Sequence, residues 1–285
     1  MDQRIIDLYD EYTHRPLQRR LFLERLAMLA GSAAAALALL PLLENDYALA
    51  AQVAPDDPAL DAKRAEFPGA VGKVKGYLAR PRKGDKRPAV IVLHENRGLN
   101  AHIEDVTRRA AKAGFLALAP DCLSAVGGTP ADEDQAREKI GALDKDAVVA
   151  DLVAARRWLA GHKHANGRVG AIGFCWGGGM VNLLAAGDPD LAAGVVFYGM
   201  SPPLDKVPAI RAKMLLHYAG LDERINAGVP AYEEALKAAG VTYTLHRYDN
   251  VQHAFHNDAN TARYDAAAAA LAWKRTVEFL KAALA

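Results

Sequence analysis

At 285 residues, with 51% hydrophobic and 24% charged residues, the chain is long enough to bury a large core in one α/β domain. A net charge of +1 gives no basic excess for nucleic acid and no acidic tail. Two cysteines, Cys122 and Cys175, exclude a disulfide scaffold or a cysteine-rich zinc site. The nine histidines show no H-E-x-x-H or comparable ligand spacing, so no metal and no cofactor is expected.

Taken in chain order, residues 1 to 50 read as an export signal outside the fold. A polar leader through Gln18 precedes Arg19-Arg20-Leu21-Phe22-Leu23, an Ala/Leu-rich run from Leu26 to Leu43, a polar break at Glu44-Asn45-Asp46, and the small-x-small pattern Ala48-Leu49-Ala50. The paired arginines make it a twin-arginine type, with the export machinery as partner through Arg19 and Arg20 and a periplasmic or secreted location. An uncleaved signal anchoring the chain in a membrane, or an ordinary buried helix, is the alternative. The run is broken by Gly31, Ser32 and Pro41, and cleavage would start the mature chain near Ala51 with no stable membrane span.

Residues 51–70, with Pro55, Pro58, Pro68 and Gly69, read as an irregular lead-in, and residues 71–285 as the folded domain. Val71 to Arg80 is a strand or hairpin arm, and Ala89 to Glu95 is an apolar run suited to a parallel sheet buried on both faces. After the loop Asn96 to Asn100, a helix extends to about Ala113, and Gly114 to Pro120 is a strand. A loop with Gly127-Gly128-Thr129-Pro130 leads to helical segments at Asp132 to Leu143 and Asp146 to Leu159. Strands follow at Arg168 to Phe174, Ala193 to Tyr198, Lys213 to Tyr218 and Thr242 to Tyr248, with helices at Ala231 to Ala239 and Ala262 to Leu284. This alternation predicts a mainly parallel central sheet with helices on both faces.

The stretch Gly173-Phe174-Cys175-Trp176-Gly177 has the form of a nucleophile elbow with cysteine in the nucleophile position. Such a pentapeptide also occurs by chance, and a free cysteine is often a small buried hydrophobe. The downstream order gives the motif its weight. In an open parallel sheet, ligands bind beyond the carboxyl ends of the strands, and Cys175, Asp222 and His253 each follow a strand run. Nucleophile, acid, histidine is the order of the α/β-hydrolase fold. His253 would move the proton, and Asp222 would hold its tautomer and offset its charge.

From about Val71 to the end, the chain resembles the dienelactone hydrolase (carboxymethylenebutenolidase) family, a cysteine-using branch of the α/β-hydrolases. The elbow G-F-C-W-G-G, the Asp222 loop, His253-Ala254-Phe255 and His94-Glu95-Asn96-Arg97-Gly98-Leu99-Asn100 carry the resemblance. It implies that Glu95 lies beside the cysteine and takes its proton when substrate displaces it. A structural alternative pairs Glu95 with Arg97 or Arg108. The oxyanion hole would be the backbone N–H groups of Trp176 and Asn96.

Tyr198 and Phe255 are pocket candidates with Trp176, although aromatics at such positions also serve the core. The family binds a substrate carboxylate with arginines, one a few residues past the catalytic histidine. Here no arginine follows His253 until Arg263, and Arg137 is the remaining candidate clamp. Cys122 also ends a strand, but nothing in the sequence fixes its separation from Cys175, as a disulfide would require. The reading is a hydrolase that cleaves a small-molecule lactone or ester through an acyl-enzyme. A broad carboxylesterase or thioesterase, or a non-catalytic ligand-binding member of the fold, is the alternative.

Overall fold

The computed structural model describes every residue but Pro16, and of residues 48 and 49 the backbone alone. Its centre is a sheet of strands β1 (Leu60–Pro68), β2 (Lys73–Pro81), β3 (Arg87–Leu93), β4 (Leu116–Pro120), β5 (Ala165–Phe174), β6 (Ala193–Phe197), β7 (Lys213–Ala219) and β8 (Tyr243–Tyr248). The strand order is β1-β2-β4-β3-β5-β6-β7-β8. β1 and β2 are antiparallel to their neighbours, and every other pairing is parallel.

The helices are α1 (Gln3–His14), α2 (Arg19–Ala30), α3 (Ala33–Leu43), α4 (Tyr47–Ala50), α5 (Ala101–Lys112), α6 (Glu133–Gly141), α7 (Lys145–Ala160), α8 (Trp176–Gly187), α9 (Glu223–Asn226), α10 (Val229–Ala238) and α11 (Ala266–Ala283). The continuous apolar run of β3 divides by parity. Val90 and Val92 face the side covered by α5 and α11, whereas Ala89, Ile91 and Leu93 face α7, α8 and α10. Both faces are dry, as a parallel sheet requires, and the architecture is that of an α/β-hydrolase.

The chain goes from β3 to β4 on one side and returns to β5 on the other. The carboxyl ends of β3 and β5 therefore flank the point where strand order reverses, where a crevice opens.

Two expectations are corrected. The lead-in contains β1, a nine-residue edge strand whose Leu60 and Phe67 are buried while charged residues between them face water. The charges that made the segment look irregular suit an edge that must not pair further. The final helix begins at Ala266, where the Asp265 carboxylate accepts from the Ala268 N–H, instead of at Ala262.

The larger difference concerns residues 1 to 50, which pack onto the domain. Helix α1 places Ile5, Leu8, Tyr9 and Tyr12 inward, and Tyr12 stacks on Phe22 of α2 at 4.3 Å. Polar fastenings join this cluster to the sheet end: Asp46 N–H donates to the Ala259 carbonyl at 2.7 Å, Asn260 Nδ2 donates to the Leu43 carbonyl, and Arg224 pairs with Asp10 at 3.3 Å. The apolar run is not one rod. Gly31 (φ +83°) ends α2, and α3 departs at 110°, so no single helix among the described residues is long and apolar enough to cross a membrane. In the pattern Ala48-Leu49-Ala50, the side chains of 48 and 49 lie outside the described residues.

Candidate active site

β5 delivers Cys175 into a turn at φ 53°, ψ −116°, and α8 starts at the next residue. The flanking glycines are there for space. A Cβ on Gly177 would stand 2.5 Å from the His94 carbonyl oxygen, and one on Gly178 would stand 2.8 Å from that of Phe197. Two more strained residues border the site, Tyr198 (φ 40°) after β6 and Ala254 (φ 64°) after His253.

Asp222, after β7, and His253, after β8, meet through a 2.5 Å contact between Oδ2 and Nδ1. With Nδ1 engaged, Nε2 is the nitrogen left to face the thiol. It is buried and has no hydrogen-bond partner among the described residues. Cys175 Sγ and a His253 ring nitrogen lie within 4.8 Å of each other, so the structure brings the three sequence-predicted residues together, all of them buried.

Burial opposes ionisation of the Cys175 thiol, but the imidazoles of His14 and His253 outweigh it and bring the thiol down to about 6. Burial likewise opposes charge on His253, while Asp222 and Cys175 push it up to about 10. Asp222 is held below the usual carboxylate range by His253 and Arg224, against its own burial. Both shifts favour the ion pair, a thiolate beside an imidazolium, over the neutral pair.

Glu95 is buried after β3, but not against the arginines weighed for it. Its Oε2 accepts from Asn257 Nδ2 at 2.7 Å, and its Oε1 lies 3.5 Å from the Tyr198 hydroxyl. Arg97 pairs with Glu133 and Asp134, and Arg108 with Asp105, Tyr77 and the Val53 carbonyl. Asn257, which fixes the Glu95 carboxylate, gave no signal in the sequence beyond its distance from His253.

Trp176 is the first residue of α8, so its N–H has no intrahelical acceptor and stands beside the thiol. Its indole stacks on His94 at 5.3 Å. Asn96 occupies the facing loop, and its side chain donates to the Thr13 carbonyl at 2.7 Å. Cys175, Trp176, Asn96, Tyr198 and Arg137 all line a cavity of about 1080 Å³.

Phe255 does not line that cavity. The backbone turn at Ala254 sends the ring inward, where it packs against Tyr248 at 5.0 Å and Tyr198 at 5.5 Å in the core. Arg137 lines the cavity but is engaged: it donates to the Tyr12 carbonyl and covers the Tyr12 ring at 4.3 Å. Cys122 and Cys175 are both free, and Cys122 packs against the sheet face covered by α7 and α8.

A second residue in the site was not foreseen. His14, the last residue of α1, places Nε2 3.2 Å from Cys175 Sγ, and its ring meets that of His253 edge-on at 4.7 Å. One nitrogen of each ring and Sγ lie within 4.8 Å of one another, a grouping that local spacing could not reveal.

Comparison with known proteins bears on the family and the fold. The model of the "Dienelactone hydrolase family" matches residues 74–284. A "Putative carboxymethylenebutenolidase" of Methylorubrum extorquens is 34% identical over 261 residues, covering 84% of this chain and 89% of that protein. The crystal structure titled "Putative Dienelactone Hydrolase" from Klebsiella pneumoniae superposes with a TM-score of 0.72 at 30% identity, covering 78% of this chain and 99% of that one. The Escherichia coli "Putative hydrolase fragment YghX" is 56% identical over 106 residues, 36% of this chain and 91% of that protein.

Proposed function

Because the chain belongs to the dienelactone hydrolase family, whose members hydrolyse esters and lactones, we propose that it cleaves a lactone or small carboxylic ester with Cys175 as nucleophile. The observation that carries this reading is the triad itself: a strained elbow cysteine, a buried histidine with a free Nε2, and an aspartate on its Nδ1.

Cys175 Sγ attacks the carbonyl carbon, and the oxyanion is received by the N–H groups of Trp176 and Asn96. Collapse breaks the bond to the leaving oxygen, which takes the His253 Nε2 proton, and leaves a thioester on Sγ. Neutral His253 then removes a proton from water. The resulting hydroxide attacks the thioester, and the second collapse releases the acid and returns the thiolate–imidazolium pair. Asp222 keeps Nδ1 protonated throughout. The proton-accepting role that the family resemblance implies for Glu95 is the alternative start to this cycle, in which the resting thiol is protonated and passes its proton to the carboxylate; Asn257 Nδ2 holds that carboxylate at 2.7 Å.

Turnover of nitrophenyl acetate and of a carboxylate-bearing dienelactone by the full chain and by Cys175→Ala tests the mechanism. Activity lost in the variant, with an acyl adduct on Cys175 in the wild type by mass spectrometry, supports it. Full activity in Cys175→Ala sinks it, and binding without turnover by the wild type would make the cleft a ligand-capture site. The ratio between the two substrates separates lactonase from broad esterase.

Export through Arg19 and Arg20 rests on the sequence pattern. In the fold Arg19 pairs with Glu44 and Asp134, and Arg20 with Glu24. We propose that, if the pattern is used, the chain is exported with residues 1 to 50 attached. Intact mass and fractionation of the exported chain decide it: a product that begins near Ala51 contradicts the proposal.

A further inference from the structure

We propose that His14 is a further catalytic residue, forming with Asp10 a second imidazole–carboxylate pair that stabilises the Cys175 thiolate, so that the amino-terminal helices complete the active site. This rests on the reading of Cys175 as nucleophile and adds a group that the triad does not contain.

Three observations converge. His14 touches the reacting atom, with Nε2 at 3.2 Å from Sγ, on a ring whose side chain is 11% exposed. On its other side Nδ1 lies 3.0 Å from Asp10 Oδ1 and 3.0 Å from the Asp10 main-chain oxygen. The directed hydrogen bonds of Nδ1 go to that carbonyl and to Thr13 Oγ1, so the carboxylate acts as a charge partner. Third, His14 ends α1, where the carbonyl end of the helix dipole favours a cation.

The charges around the pair are arranged to hold it. Arg224 Nε is 3.3 Å from Asp10 Oδ2, and Arg263 Nη1 is 3.9 Å from Oδ1, so the carboxylate stays ionised beside His14. Arg224 belongs to α9, the short helix that Asp222 caps, which links the two carboxylates through one element. Cys175, Asp10 and His253 are the titratable groups that act on His14, and the two arginines face its partner Asp10. Burial opposes its charge, and Cys175 with Asp10 raises its proton affinity above the ordinary imidazole.

The consequence is a division of labour. His253 must give up its proton to the leaving group and is neutral during part of the cycle. His14 is not called on to give up its proton and remains an imidazolium, so the thiolate is stabilised when it departs from the thioester as well as when it attacks. A packing histidine that only plugs the gap would leave the thiol's ionisation unchanged on substitution.

The test is the acid limb of kcat/KM for nitrophenyl acetate, with the pH dependence of Cys175 alkylation by iodoacetamide, in the full chain carrying Cys122→Ser. His14→Gln keeps a donor amide near Sγ and removes the charge. Both midpoints are expected to rise by about one unit or more, the size of losing one close opposite charge. Asp10→Asn, which leaves the imidazole in place, should move them the same way by less. Midpoints that stay within about 0.3 unit in His14→Gln overturn the proposal. If that variant does not fold, Asp10→Asn decides on the same readout. Failure of the underlying reading looks different, because Cys175→Ala would then retain turnover.

Discussion

Asn96 donates its side-chain amide to the main-chain carbonyl of Thr13 at 2.7 Å, fastening the loop proposed to offer an oxyanion N–H to the residue before His14. The two sides of the site therefore share one support, and loosening it should act on both. Asn96→Ala retains the backbone N–H and loses the tether. We expect about 1 kcal/mol of destabilisation, the net value of one such hydrogen bond, with a fall in kcat larger than any change in KM. Thermal denaturation and steady-state kinetics check this, and unchanged kcat with a lowered melting temperature would show that the tether serves stability alone.

The thiolate–imidazolium pair predicts a plateau of kcat/KM bounded on both sides. The thiol, held at about 6, must lose its proton, so activity rises through that pH. His253, held at about 10, must keep its proton to protonate the leaving oxygen, so activity falls through that pH. Asp222→Asn removes the carboxylate that raises His253, so the alkaline limb should move to lower pH and kcat should fall by several orders of magnitude. A profile of Asp222→Asn that superimposes on the wild type contradicts the assigned pairing.

The elbow glycine offers a structural test. In Gly177→Ala the new Cβ meets the main-chain oxygens of Leu93 and His94 at 2.6 and 2.5 Å, and backbone cannot turn aside as a side chain can. The relief must come from separating α8 from the end of β3 and the loop that follows it, which position the proposed oxyanion N–H groups of Trp176 and Asn96. Destabilisation of about 1–3 kcal/mol is expected, together with loss of turnover. A variant with wild-type melting and wild-type kcat would mean that the elbow is looser than its geometry.

The triad was legible because each member follows a strand, and strand ends converge in a parallel sheet whatever lies between them in sequence. Tyr198 was legible for the same reason. Phe255 was misplaced because a positive φ at Ala254 reverses the direction of the next side chain, and no pattern in the letters announces that torsion at an alanine. β1 was missed because edge strands carry charge that reads as loop. His14 was hidden more thoroughly. Its segment has the arginine pair and apolar run of an export signal, and that compositional likeness masked the helical spacing of Ile5, Leu8, Tyr9 and Tyr12, which marks a packed face. The Asp2 carboxylate, which caps the Arg4 N–H, was a further local sign of a helix. What no sequence shows is that this face docks where His14 meets Cys175.

Arg137 separates two views of substrate recognition. As a clamp it would bind a substrate carboxylate bidentately, and its loss would penalise a carboxylate-bearing dienelactone far more than nitrophenyl acetate. In the fold its guanidinium donates to the Tyr12 carbonyl, covers the Tyr12 ring, and has Asp134 at 3.6 Å, so its charge is already directed at α1. Arg137→Met should therefore destabilise the protein by about 1–3 kcal/mol, the combined order of a charged hydrogen bond and a cation–π contact. Both substrates should lose kcat in similar proportion as α1 loosens and His14 moves from the thiol. A selective loss on the carboxylate-bearing substrate, with unchanged melting, would return Arg137 to the substrate side of the cavity. The ratio of the two kcat/KM values, measured beside the melting temperature, distinguishes a clamp on the substrate from a clamp on the helix.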